Sequence, residues 1–348
     1  MSDAPSPHRR RVRYSGKNPR GFSQKYKEHA PGLYPETLEK ILASGKTPAG
    51  AHRPILVAEI LEVLRPAPGE LAVDCTLGYG GHAAKMLPYL LPGGRLLGLD
   101  ADPIELPRTE ARLRESGFGS EAFTAHRCNF AGLASILAKE ARSVADVLLA
   151  DLGVSSMQLD NPARGFSLKH NGPLDMRMNP NKGQPVSLLL ARSSASELEQ
   201  LLRENSDEPH ASALGTALAG KIFGGTLALA QAIRSLLSKR PEEERDLSVR
   251  RVFQALRIAA NEEFGALETL LKQLPQCLAP QGRVAILTFH SGEDRRVKKS
   301  FESGLQEGTY SAVSDGVIRA GEEERRANPR STSAKLRWAV RASLSTRS

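Results

Sequence analysis

Four short apolar runs, the first three each followed by a helix-spaced stretch, restrict this chain more than any other feature. Leu71–Asp74, Arg95–Leu99 (closing on Asp100), Glu121–His126 and Val147–Ala150 (closing on Asp151) read as strands. Between them, Ala83–Leu91, Pro103–Ser116 and Leu133–Arg142 carry apolar residues at helical spacing. An earlier helix uses Ile55, Ala58, Ile60, Leu61 and Leu64 and stops at Pro66, Pro68 and Gly69. Strand and helix alternating at this interval require crossovers between parallel strands, which predicts a doubly wound α/β sheet. Ligands of such sheets sit beyond the carboxyl ends of the strands, so the residues ending each run are the candidates for chemistry.

The alternation stops after the fourth strand. Asp151-Leu-Gly-Val-Ser-Ser-Met-Gln-Leu-Asp160 leads into Arg164-Gly-Phe-Ser and Pro173-Leu-Asp-Met-Arg-Met178, with Pro162, Pro173 and Pro180 and three glycines on the way. A polar stretch that resists both helix and strand, starting at a strand terminus, reads as a binding loop. Asp175 and Arg177 read as an internal ion pair ordering it. Val186–Leu190, Ala195–Arg203 and Thr226–Ser238 then carry helix-spaced leucines, with Ser194-x-x-Glu197 resembling a capping box and Glu208–Phe223 a weaker helix. A helix from Leu247 to about Leu274 leads back to a fifth strand, Val284–Phe289, and a helix over Asp294–Phe301. The tail through Trp338 supplies an antiparallel edge pair. The predicted organisation is a basic arm (1–50), a sheet domain (51–159 with 248–348) and a helical insertion (160–247).

Composition narrows the setting. The hydrophobic fraction of 40% supports a core, and no apolar run is long enough to span a membrane. Cys75, Cys128 and Cys277 form no CxxC pair, and the eight histidines lack ligand spacing, so neither disulfide nor metal is expected. A reducing, cytoplasmic setting follows. Of the net charge of +9, residues 1–50 carry a surplus of six, ten Lys/Arg against four Asp/Glu. Arg9, Arg10, Arg11, Arg13, Lys17 and Arg20 are interleaved with Tyr14, Phe22 and Tyr26, which suits a phosphate backbone and unstacked bases. A solvated tail or a transit peptide competes with that reading, and Pro5, Pro7 and Pro19 oppose the helix a transit peptide needs.

The strand ends spell a ligand. Asp74-Cys-Thr-Leu-Gly78-Tyr-Gly80-Gly81-His82 joins the first strand to a helix, and its glycines admit close backbone approach. It is not the dinucleotide fingerprint, which disfavours an NAD-linked oxidoreductase. Asp100 is placed to accept from ribose hydroxyls, and Asn129-Phe130 offers a ring to cover an adenine. A nucleoside site with no diphosphate cradle and no Walker lysine points to S-adenosylmethionine (SAM). Its sulfonium methyl needs an in-line nucleophile. Asp151 and the backbone or hydroxyls of Val154–Ser156, Ser155 and Ser156 among them, are placed to accept from a weakly nucleophilic amine. Asp151 is equally placed to hold the cofactor's own amino group, and both roles stand. His290, Ser291, Glu293 and Asp294 close the fifth strand toward the same mouth.

These motifs, with Phe253-Gln-Ala-Leu-Arg-Ile258, Phe289-His-Ser-Gly-Glu-Asp-Arg295 and Asn328-Pro-Arg, resemble the ribosomal RNA small-subunit methyltransferase H (MraW) family from His52 to about Val340. The resemblance implies a Rossmann-like class I SAM-dependent methyltransferase with an inserted helical domain. The implied activity is N4-methylation of a decoding-region cytidine in 16S rRNA. The implied substrate form is an assembled or late-assembling small ribosomal subunit, and a homodimer is an admissible state of the enzyme. By resemblance, Gly80, Gly81, His82, Asp100, Phe130, Asp151 and Gln158 take the cofactor; the glycine turn adds Gly78, and the strand ends themselves place Asp151, Ser155, Ser156, His290 and Asp294 as the reaction-side candidates. The chain departs from the family at Met157 (usually proline), Gly292 (usually leucine) and Asn205-Ser-Asp-Glu208, and basic residues thin out near Lys221. A silent RNA-binding assembly factor that kept only the fold is the alternative.

Overall fold

A computed structural model describes residues 54–343, so the basic arm and a helix expected over Tyr34–Ser44 lie outside the described residues. Seven strands form one sheet in the order β3-β2-β1-β4-β5-β7-β6. They are β1 (Leu71–Asp74), β2 (Arg95–Asp100), β3 (Phe123–Arg127), β4 (Ala145–Asp151), β5 (Leu278–Thr288), β6 (Tyr310–Val313) and β7 (Lys335–Arg341). The first five run parallel, while β7 pairs antiparallel with both β5 and β6. This is the expected class I methyltransferase sheet with its antiparallel edge. Strand order reverses about β1, which lies between β2 and β4, and ligands of open α/β sheets bind at the carboxyl ends beside such a reversal.

Both faces of the sheet are covered, so its central strands are buried on both sides along Leu71–Val73, Leu96–Leu99, Val147–Ala150 and Val284–Leu287. Alternate residues point to opposite layers: Val73, Leu97, Leu148 and Ile286 to one, Ala72, Leu96, Leu149 and Leu287 to the other. The second layer is closed by α1 (Val57–Leu64), α2 (Gly81–Leu90) and α3 (Glu105–Glu115). The first is closed by α4 (Leu133–Lys139) and by two later helices, Glu263–Cys277 and Ser291–Gln306. Leu148 and Leu149 are fully buried. Truncating either to alanine costs about 2–5 kcal/mol, enough to threaten a domain of ordinary stability. All three cysteines are free.

After β4 come the one-turn helix α5 (Ser156–Asp160) and then α6 (Val186–Arg192), α7 (Ala195–Ser206), α8 (Ala211–Leu218), α9 (Thr226–Leu236) and α10 (Glu242–Asn261). They gather around their own apolar cluster, running from Phe166 to Leu256. The capping box at the head of α7 is present: Ser194 Oγ accepts from Glu197 N, and Glu197 accepts from Ser194 N. The weaker helix is shorter than expected, because α8 ends at Leu218 and Gly220 turns left-handed (φ 71°).

The helix expected over Leu247–Leu274 is two helices. Glu262 adopts φ 51° and separates α10 from α11 (Glu263–Cys277). Asn261 Nδ2 donates to the carbonyls of Arg257 and Met176, and Arg257 pairs with Glu263 across the break. Periodicity continues through one left-handed residue, so the sequence pattern does not register it. Val249, Val252, Phe253, Ala255 and Leu256 of α10 pack in the insertion's cluster and α11 packs on the sheet, and the boundary expected at 247/248 falls inside α10. Beyond β5 lie α12 (Ser291–Gln306) and α13 (Glu322–Ala327). Among the described residues no helix is long and apolar enough to cross a membrane.

Candidate active site

The turn after β1 is built on glycine. Gly78 (φ 48°) and Gly80 (φ 81°) are left-handed, and a Cβ on Gly80 would lie 2.9 Å from Thr109 Cγ2. Glycine at 80 therefore lets the turn pack closely against Thr109 and Leu113 of α3, and its positive φ admits no other residue without strain. Gly78 N donates to Asp100 Oδ2 (2.7 Å), and Asp102 N donates to Asp100 Oδ1 (2.8 Å). Each oxygen keeps a lone pair for a hydroxyl. Burial lifts the Asp100 carboxyl to about 6 despite those two bonds. Phe130 stands half-buried on a single 3-10 turn capped by Asn129, whose Oδ1 accepts from Ala131 N (2.9 Å). His82 Nε2 lies 2.9 Å from the Ile55 carbonyl, and burial lowers its pKa.

Asp151 ends β4 beside this loop. Its N–H donates to Thr76 Oγ1 (2.6 Å), which fixes the backbone and leaves the carboxylate free to point away. Among the described residues the nearest polar partner of that carboxylate is His82 Nδ1, at 3.5 Å. Burial, then the charge of Glu293, raises Asp151 to about 7. Asp74, almost wholly buried, is raised to about 6 by burial. Strand ends β1, β2 and β4 thus present three carboxyls near neutrality, with one imidazole among them.

Ser155 caps α5: its Oγ accepts from Gln158 N, while Gln158 Oε1 accepts from Ser155 N (3.0 Å). Gln158 Nε2 donates to Asp102 (2.8 Å), so this carboxamide stands behind the cofactor loop with its main contacts already made. The Ser156 side chain lies outside the description. Asp175 and Arg177 form the anticipated ion pair (2.7 Å).

At the end of β5, Glu293 N donates to His290 Nδ1 (3.4 Å), and His290 Nε2 lies 3.2 Å from Glu293 Oε1. The ring sits 5.7 Å from that of Phe264. Glu293 is 3% exposed and also accepts from Phe289 N. Burial opposes its ionisation, but His290, Arg257 and that N–H outweigh it and hold the carboxyl below its usual range. Asp294 requires a correction. It turns toward β7, bound by Arg337 Nε (2.7 Å) and Lys335 Nζ (3.5 Å), and ties its helix to that strand. On a helix, adjacent residues point about 100° apart, so only one of the two acids can face Asp151. Glu293 is that one. Donor atoms of Glu263, His290 and Glu293 lie within 4.8 Å of one another, yet Arg257 already forks onto both Glu263 oxygens at 2.8 Å. Thr76, Asp102 and Arg164 were not anticipated at this site. Their contacts span 56 to 75 residues of chain, which leaves no local signal.

The sequence profile of the MraW methylase family matches residues 49–342. The chain belongs to this family. A relative from Lachnoclostridium phytofermentans, ribosomal RNA small subunit methyltransferase H 1, is 48% identical over 96% of this chain and 93% of its own length. Ribosomal RNA small subunit methyltransferase H 2 of Alkaliphilus metalliredigens is 46% identical, over 98% and 100%. Among solved structures, a putative methyltransferase from Streptococcus mutans in complex with SAH is similar with TM-score 0.40 and 10% identity, over 83% of this chain and 99% of that one. As an MraW methylase, the chain is a SAM-dependent methyltransferase. Its residues fit that cofactor: a glycine turn at Gly78 and Gly80, an acceptor at Asp100 for a ribose, and a ring at Phe130.

Proposed function

We propose that the protein methylates the N4 amine of a cytidine in the decoding region of 16S rRNA, acting in the cytoplasm on an assembled or late-assembling small subunit. The rRNA substrate is supported by family membership and by the names of relatives alike over nearly their whole length. The observation that carries the chemistry is the Asp151 carboxylate, half-buried at the end of β4 with His82 Nδ1 3.5 Å away. The cofactor, when bound, supplies an electrophilic methyl. The N4 lone pair of cytosine is delocalised into the ring, so an acceptor on its N–H is needed to localise it. Asp151 accepts that hydrogen bond and takes the proton as the nitrogen gains its methyl. A carboxyl near 7 is matched to accepting a proton at neutral pH. Carbonyls around Val154–Ser156 orient the amine, and His290, held by Glu293, borders the base.

Gly78, Gly80, Gly81, His82, Asp100 and Phe130 hold the cofactor, with Gln158 acting from behind Asp102. The helical insertion and the basic arm meet the RNA. Mass-spectrometric mapping of methylated cytidines in 16S rRNA, with and without the protein, tests the assignment. Loss of a single N4-methyl mark in its absence is expected. Unchanged methylation would favour a silent assembly factor and overturn the proposal.

A further inference from the structure

Methyl transfer needs two loops in register: the one after β2, which carries Asp100, and the one after β4, which carries Asp151. One buried side chain is bonded to both. Arg164 is 8% exposed and closes the one-turn 3-10 helix Pro162–Arg164. Its Nη1 donates to Asp102 Oδ2 at 2.8 Å, and Asp102 is 1% exposed. The same oxygen accepts from Gln158 Nε2 at 2.8 Å, and Oδ1 accepts from Ile104 N at 2.9 Å. Asp102 N is in turn held by Asp100 Oδ1, while Gly78 N and Ile104 N keep Asp100 and Asp102 in place from the other side.

On its other side, Arg164 Nη2 donates to the carbonyls of Met178 (2.8 Å) and Arg177 (3.2 Å). Met176 N donates back to the Arg164 carbonyl (3.2 Å). The loop so gathered turns left-handed at Gly165 (φ 77°), which glycine adopts freely, and at Met176 (φ 59°), where a side chain makes the conformation costly. Asn261 takes the far end, accepting from Met178 N and donating to the Met176 carbonyl, at the break between α10 and α11. A continuous bonded path therefore runs from the glycine turn, through Asp100, Asp102 and Arg164, to the hinge of the helical insertion.

We propose that Arg164 is a positioning residue for methyl transfer, fixing the loop that follows β4, from Pro162 to Met178, against Asp102 and so against the cofactor end at Asp100. A buried ion pair adds little net stability over apolar side chains of the same volume, because desolvation cancels its attraction. What the pair does confer is fixed geometry. A guanidinium reaches one carboxylate and two carbonyls at once, which neither an ammonium nor a thioether can do.

Arg164→Met and Arg164→Lys test this in the full chain. SAH affinity is read by calorimetry and hydrogen exchange over residues 165–178 by mass spectrometry. Turnover is measured on small ribosomal subunits lacking the modification. For Arg164→Met, kcat falls about 100-fold, the effect of misplacing reacting groups by an ångström, while SAH affinity and KM change less than about threefold. Arg164→Lys recovers part of the kcat, and exchange in the loop quickens at least about tenfold in both variants. A kcat loss equalled by the loss in SAH affinity, or an unchanged kcat, overturns the assignment. If Arg164→Met does not fold, Arg164→Lys carries the same readouts. Only the turnover arm rests on the proposed rRNA substrate. Should wild-type protein leave the subunits unmethylated, that substrate has failed, and loop exchange still decides: unchanged exchange in Arg164→Lys overturns the positioning role, and faster exchange with SAH affinity kept supports it.

Discussion

Asp151 combines burial with a place at the strand end beside His82, and both have measurable effects. Its carboxyl rises from 3.8 to about 7 in the folded chain, chiefly through burial and secondly through Glu293. Ionising it is therefore costlier folded than unfolded. The stability it contributes is complete below about pH 4 and is lost as the pH climbs through 7. Asp151→Asn removes that loss, so its melting temperature relative to wild type should increase between pH 5 and pH 8, by about 2–4 °C per kcal/mol recovered. Thermal melts at the two pH values check this, and a pH-independent difference would refute it. The same variant should lose activity by about 100-fold or more while SAM affinity changes little, since the proton acceptor is gone. Equal losses in both would make Asp151 a cofactor ligand alone. For Asp100→Ala, calorimetry should show SAM affinity reduced by about 1.5–3 kcal/mol, the worth of hydrogen bonds to a charged acceptor. Unchanged affinity in a folded variant would remove Asp100 from the ribose. Both acids are readable in sequence because each ends an apolar run. Glu293 and Asp294 follow one strand side by side, and only the pitch of α12 separates the acid beside Asp151 from the clamp on β7.

Elements were legible where a period persists long enough to be seen. The strands and their covering helices follow from alternation and spacing, and Ser194 with Glu197 marks the head of α7. The division between α10 and α11 was not legible. Its apolar spacing runs on, and Glu262 is an ordinary helix former held left-handed by the contacts of Asn261 and the Arg257–Glu263 pair. A left-handed non-glycine residue costs about 1 kcal/mol or more. Glu262→Gly should accordingly stabilise the protein by up to about 1 kcal/mol, less the added freedom of the unfolded chain. Chemical denaturation measures this, and destabilisation would mean that the Glu262 side chain contributes more than its backbone costs.

At the scale of the whole molecule, the arm at residues 1–50 concentrates the positive charge, with ten Lys/Arg against four Asp/Glu. Its deletion should weaken binding to small-subunit rRNA and flatten the salt dependence, because fewer counterions are released. SAM affinity should stay the same, since Asp100, Asp151 and the glycine turn all lie after residue 54. Affinities across a salt series for full-length and truncated protein provide the comparison, and coincident slopes would assign the arm another role. The sequence by itself determined the parallel sheet, the strand-end acids, the glycine turn and the family, because each is written in local patterns of spacing and residue type. Only the tertiary structure decided which groups meet. It set Asp151 beside His82, turned Asp294 to β7, and joined Asp102 to Arg164 across 62 residues of chain. Those pairings depend on strand order and helix pitch, which act over distances that no local pattern encodes.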